Sequence, residues 1–406
     1  MYGSIPARNV MRTETTFART GAGSSATPVP KARIESIDAT RGVALFLLLF
    51  SHCVQSFFAT HKLAASSAAD QFCMEFFNLF AYHKSMMLFA LLFGLSFFFQ
   101  MKKASAQGGA GMRSFAARLG WLAAFGYVNG VFDRTDMLLP FALCGLVLPL
   151  LWKLSTRWLL AIAVVLLCHP PELLCSALGI QDPLCHFLQI HRPVAPDTQT
   201  SSWLDLTAWN MTAHVHWMLF KLYLNQRVFD ITGMFLLGCC LGRNRIFEPQ
   251  NTRLLQRIVA VLGGILVLGF TVYHFARSGG GAARLAHSYL DSVQTVFYAA
   301  FFTLIFHMRP LAWLCRPMAA IGKSTLSCYM AQGVILSFLM FGWGLGWAET
   351  MPPAAKAGLA VAIFLLQMLS CILILKKWPL CPMEMLWRRL VAHSRRMRDS
   401  SIPKKA

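Results

Sequence analysis

The chain is short of charge. Only 13% of its 406 residues are Asp, Glu, Lys or Arg, where a soluble domain carries about a quarter. With 56% hydrophobic residues and a positive mean hydropathy, that deficit excludes an ordinary soluble globular protein. Several chemistry-bearing motifs are missing as well. There is no Gly-rich phosphate loop ending in Gly-Lys-Ser/Thr, no G-x-S-x-G elbow, no H-E-x-x-H pair and no paired C-x-x-C. P-loop nucleotide chemistry, elbow-type serine hydrolysis and the common zinc sites therefore find no support. The first 35 residues lack the apolar core of a secretory signal. Rich in Ser, Thr, Ala and Arg, they read as a disordered basic cytoplasmic tail. No inverted repeat of the kind found in many transporters is visible.

What the chain has instead is apolar runs, recurring from Ala39 to Leu375 between short basic or polar pieces. This pattern predicts an all-α polytopic membrane protein. Ten spans fit, at 40–60, 78–100, 114–132, 135–152, 157–178, 228–247, 257–275, 289–307, 318–343 and 357–376. The domain plan is then a tail over 1–35, a transmembrane helical domain over 36–376 and a basic juxtamembrane tail over 377–406. The net charge of +20 would suggest nucleic acid in a soluble protein. Here most Lys and Arg fall on one side of the spans and most Asp and Glu do not, which is the positive-inside asymmetry. It places both termini in the cytoplasm and removes the case for a nucleic-acid partner. Membrane lipids are the expected surroundings, and the basic tail from Arg388 to Lys405 would attract anionic ones.

The most informative stretch is Ser36–Cys53, SIDATRGVALFLLLFSHC. Arg41 and His52 are eleven residues apart, about three helical turns, so they share one helix face at a separation of roughly 16.5 Å. Arg41 then sits near an interface and His52 about half-way through the bilayer, where an ionisable group marks a candidate functional site. Spacing alone equally allows a histidine that is hydrogen-bonded within the bundle.

Other polar residues stand at span ends. Lys84 follows Tyr82 and His83 at the start of the second span; it either snorkels to the interface or faces the same interior as His52. Asp133, Arg134 and Asp136 make a tight charged turn between the third and fourth spans. Asp136 serves there as a helix cap or as a wall of a cavity mouth. Asp230 follows Arg227 at the start of the sixth span, and Asp291 opens the eighth. In the seventh, Gly263, Gly264 and Gly269 permit close helix packing. In the ninth, Thr325, Tyr329 and Gln332 form one stripe, fit for interhelical hydrogen bonds or for lining a cavity. The long connection 179–227 is rich in Trp and suits an amphipathic segment on the membrane surface. His214 and His216 within it lack partners at ligand spacing, so no metal site is expected. Most of the twelve cysteines fall within spans and behave as small apolar residues. Cys175 and Cys185 flank an external loop and pair only if that side is oxidising.

The ends of the chain resemble a known family. IGKSTLSCYMAQGVILSFLMFGWGLG followed by CPMEMLWRRL is similar to the closing domain (domain of unknown function 418) of the YeiB-like bacterial membrane proteins. That pattern has Arg, Thr, Gly and Trp where this chain has Lys323, Ser327, Cys381 and Met385. SIDATRG, LFALLFG, the Asp136 turn and Asp230–Gly238 have counterparts too, so the resemblance spans about 35–392, with the closing domain at about 228–392. The resemblance implies a place within the integral-membrane acyltransferase superfamily, where a related family carries Arg-x10-His in its first span. Arg41 and His52 match that spacing, whereas YeiB-like proteins more often have Asn at the second position.

On that resemblance, an acyl group passes from cytoplasmic acyl-CoA to an acceptor reached from outside, across a bacterial inner membrane. Acyl-CoA is a co-substrate, with no permanently bound cofactor, and the acceptor is a glycan or a small molecule. Arg41 would hold the donor's phosphates or pantetheine arm. His52 would serve as general base or transient acyl carrier. Lys84, Asp136, Tyr329 and Gln332 would line the substrate cavity. A small-solute permease and a scaffold without chemistry are the alternatives the same polar groups allow.

Overall fold

A bilayer offers backbone N–H and C=O groups no water, so apolar runs of this length resolve into helices. The computed structural model describes residues 35–400 apart from 56–66, 106–109, 134–135, 181, 191–193, 195, 225, 276–280 and 309–310. Every regular element among the described residues is helical. In chain order these are α1 (Glu35–Val54), α2 (Ala68–Phe76) with a π-turn (Phe77–Ala81), α3 (Lys84–Ser105), α4 (Ala110–Phe132), α5 (Leu138–Gly145) and α6 (Val147–Leu151). Then come α7 (Thr156–Leu167), α8 (Pro170–Leu178), α9 (Pro183–Ile190), α10 (Trp203–Leu224), α11 (Arg227–Arg243) and α12 (Thr252–Phe275). The chain closes with α13 (Gly281–His307), α14 (Ala312–Lys323), α15 (Thr325–Met340), α16 (Trp347–Thr350), α17 (Pro353–Lys377) and α18 (Pro382–Ser400).

Among the described residues, five stretches are long and apolar enough to cross a membrane: Glu35–Val54, Ala68–Lys103, Pro249–His274, Ala286–His307 and Pro353–Lys377. They divide by surroundings. The apolar window of α1 is 83% buried within the protein, whereas that of α12 is 11% buried. A helix apolar all round and exposed along its length faces lipid, so α12 belongs to the rim and α1 to the core.

Three expected spans are interrupted, each for a local reason. The 157–178 segment breaks at His169, which has φ 49°, because Pro170 and Pro171 cannot continue a helix. The 135–152 segment breaks between α5 and α6, where Pro149 has no N–H to give the carbonyl of Gly145. The 318–343 segment breaks at Ser324. The freed N–H groups of Leu326 and Ser327 instead donate to Glu384 Oε1 of α18, at 2.8 and 3.2 Å.

Two reciprocal glycine contacts hold the core. On α3 and α11, a Cβ at Gly94 would collide with the Phe235 carbonyl and one at Gly238 with the Leu91 carbonyl. On α1 and α14, Gly42 meets the Met318 carbonyl and Gly322 the Asp38 carbonyl in the same way. These are the close approaches that small residues permit. The glycines of α12 expected in that role are not used so: Gly264 faces open space, while Gly263 and Gly269 meet only the side chains of Phe297 and Leu290.

The connection expected to lie on the membrane surface contains α10, which packs along α4. Asn210 Nδ2 donates to the Val131 carbonyl (2.8 Å) and Tyr127 Oη to that of Met211 (2.7 Å). Expectations for the tail 1–34 and for the side chains of Cys185 and His214 lie outside the described residues.

Candidate functional site

The last turn of α1 carries Ser51 and His52 into the protein interior, where His52 is 5% exposed. Four elements converge on it. Turning at Tyr82-His83, the chain enters α3 through a left-handed residue, His83 (φ 66°), right after the π-turn. Asp133 follows the end of α4, and Gln226, also left-handed (φ 55°), starts α11. Together they enclose a cavity of ≈ 30 Å³ whose wall includes Leu48, His52, Gln55, His83, Met137 and Arg227. That is room for one or two waters or a small polar head.

Behind His52 lies a carboxylate. Its Nδ1 is 3.8 Å from Asp133 Oδ2, and Asp133 is 1% exposed. At that separation the carboxylate acts on the ring through its charge, and a shorter approach would let it select the tautomer. Separations of this kind commonly tighten when substrate binds.

A second polar group adjoins the cavity through His83. Its Nε2 is 3.3 Å from Asp230 Oδ2 and its Nδ1 is 3.7 Å from Asp291 Oδ2. Asp230 Oδ1 also meets His169 Nε2 at 2.8 Å, and Asp291 Oδ1 meets Lys84 Nζ at 2.9 Å and His287 Nδ1 at 3.4 Å. Imidazoles and carboxylates thus alternate along His169, Asp230, His83, Asp291 and His287. Lys84, without measurable exposure, donates as well to the Asn78 carbonyl at 2.8 Å. Buried charges are tolerated when paired and hydrogen-bonded in this way.

Of the six residues picked out from the sequence, only His52 is on the cavity wall. Arg41 is at the other end of α1, where it donates to Asp38 Oδ1 (2.6 Å) and to Ser96 of α3. Lys84 falls between the wall residues His83 and Ser85 but is itself off the wall, held by Asp291. Asp136 supports the fold: its Oδ1 accepts from Asn129 Nδ2 (2.9 Å) and its Oδ2 from the Leu139 N–H in the first turn of α5 (3.1 Å). Tyr329 acts one step away, because its hydroxyl accepts from the N–H of Met137, a wall residue, at 2.9 Å. Gln332 pairs with Gln367 of α17 at 2.8 Å, which is the interhelical role its stripe allowed. Among the described residues no group of three or more His, Cys, Asp or Glu is placed to hold a metal ion.

Asp133, His83, Arg227, Asp230 and Asp291 each stand at a span boundary in the sequence, but nothing there pairs them. His169 lies hidden inside an apolar run, and Pro170-Pro171 is the one local signal that the helix opens at it.

With this geometry in hand, comparison with known proteins is informative about kinship. Residues 241–394 match the model of a protein family described as "Protein of unknown function (DUF418)". The match covers most of α12–α18, including Asp291, Tyr329, Gln332 and Glu384, and begins after His52 and Asp230. The "Uncharacterized protein YxaH" of Bacillus subtilis (strain 168) is 23% identical over 380 residues, covering 88% of this chain and 93% of its own length. The "Uncharacterized 39.9 kDa protein in amylase 3'region" of Bacillus acidopullulyticus is 20% identical over 378 residues, with the same coverage.

Proposed function

We propose that this chain is a multi-pass acyltransferase of a bacterial inner membrane, with His52 at its reacting centre. The observation that carries the reading is His52 itself, buried on a cavity wall with the Asp133 carboxylate behind its ring. Arg41, three turns away on the same helix, adds the Arg-x10-His spacing of the acyltransferase relatives. Ten crossings with both termini in the cytoplasm would put Arg41 on the acyl-CoA side and His52 toward the acceptor.

In this mechanism Nε2 of His52 takes the proton of an acceptor hydroxyl or amine as the acceptor attacks the thioester carbonyl. The C–S bond breaks, and the departing thiolate of CoA receives the proton. Asp133 stabilises the imidazolium formed between those steps. A cavity of ≈ 30 Å³ suits a short acyl group. Arg41 is suited to the donor's phosphates.

The test is turnover of labelled acetyl-CoA by the purified full chain in nanodiscs. His52→Ala should reduce it by roughly 10²–10⁴-fold, and Asp133→Asn should cause a smaller loss, with both variants melting near the wild type. An inert wild type, or an unaffected His52→Ala, defeats the reading.

One observation favours a second reading. The alternating chain from His169 to His287 has the composition of a proton path, such as solute permeases use. Counterflow of labelled solute into proteoliposomes, abolished by Asp230→Asn but indifferent to acyl-CoA, would select that alternative.

A further inference from the structure

Arg227 is the feature of the cavity that the reaction above does not use. A guanidinium keeps its charge under all accessible conditions, and in a desolvated site it calls for a counter-charge. Among the described residues Arg227 makes no ion pair, and the carboxylate that acts on it electrostatically is Asp230. Its Nη1 reaches only the thioether of Met137, at 3.8 Å, and its buried Nε has no hydrogen-bond partner. Among the described residues no carboxylate lies within ion-pair distance of it. Asp230, three residues on along α11, is engaged by His169 and His83 instead. Gln55, on the same wall, has its amide oxygen buried and unpartnered. Turning that amide over presents its NH₂ donors.

We infer that the cavity is an anion site, in which Arg227 holds a carboxylate or phosphoryl head presented by the acceptor. The assignment of the head to the acceptor rests on the acyl-transfer reading; the anion site itself does not. Its chemistry is specific. A guanidinium offers parallel N–H donors matched to two oxygens of one carboxylate or phosphate. A cavity of ≈ 30 Å³ has room for such a head. Seated against Arg227, the head would bring the rest of its molecule beside His52 on the shared wall. The same head occurs on free small molecules and on anionic lipids, and the two sources are separable.

The experiment measures thermal unfolding of the full chain in phosphatidylcholine nanodiscs, at constant ionic strength, against inorganic phosphate and acetate. A parallel set uses nanodiscs containing phosphatidylglycerol. The wild type should show a saturable rise in melting temperature with at least one probe. In Arg227→Gln the apparent affinity should fall at least tenfold, and Arg227→Lys should keep part of it, as a cation without the fork. A rise with the soluble anions supports a free acceptor; one seen only with phosphatidylglycerol supports a lipid head. Without anion, Arg227→Gln should melt no lower than the wild type, because it removes a cation that makes no ion pair with the described residues.

Equal anion response in wild type and Arg227→Gln overturns the proposal. So does the lack of a saturable rise with every probe, or a large loss of stability in anion-free Arg227→Gln. The readout needs no acyl-CoA. Arg227-dependent binding without turnover would therefore sink the acyl-transfer reading alone, while turnover without such binding would sink the anion site alone.

Discussion

Lys84 marks the distance between what a residue announces and what it does. In the sequence it stands at a span boundary, where a lysine ordinarily reaches for the interface. In the structure it is fully buried against Asp291, at 2.9 Å, and that partner comes about 200 residues later in the chain. No local pattern encodes a pairing over such a separation. The same holds for His83 and His169, whose left-handed backbones carry no glycine to announce them. His52 was different, because its position relative to Arg41 could be counted along one helix. The Lys84–Asp291 pair gives a sharp expectation. Lys84→Met or Asp291→Asn alone should cost about 3–5 kcal/mol by leaving one charge buried without its partner. The double substitution should recover most of that loss, as judged by melting of all four proteins in one double-mutant cycle.

Helices as units were legible where a run was long and uninterrupted. Apolar length gave α1, α3, α12, α13 and α17, and the breaks at Pro149 and Pro170 follow from residues visible in the sequence. Contacts between helices were not legible. Glycines in α12 looked like packing residues, yet the backbone approaches are at Gly94 with Gly238 and at Gly42 with Gly322. Which face of a helix meets a neighbour depends on the whole bundle, and composition within one span does not reveal it. Substitution tests the difference directly. Gly94→Leu or Gly238→Leu should abolish the monodisperse folded peak in detergent chromatography, since the obstacle is backbone that cannot step aside. Gly264→Ala and Gly358→Ala face open space and should be neutral, or more stable by about 0.5–1 kcal/mol.

At the scale of the whole molecule, charge and hydropathy were enough to give the class, an all-helical protein with several membrane-length helices. They did not give the meeting point. His52, Asp133, His83, Arg227 and Asp230 come from four separate stretches, and only the packing of α1, α3, α4 and α11 makes them neighbours. That packing also has a history. Translation delivers Lys84 first and Asp291 roughly 10–40 s later, at about 5–20 residues per second. During that interval α3 holds a cation with no carboxylate to receive it. The pairing therefore predicts that the first half of the chain settles only once α13 emerges. A chain stopped after residue 280 should be degraded rapidly in cells, and Lys84→Met should prolong its half-life, as followed by pulse-chase. Equal half-lives for the two truncated chains would show that the lysine waits harmlessly at the interface.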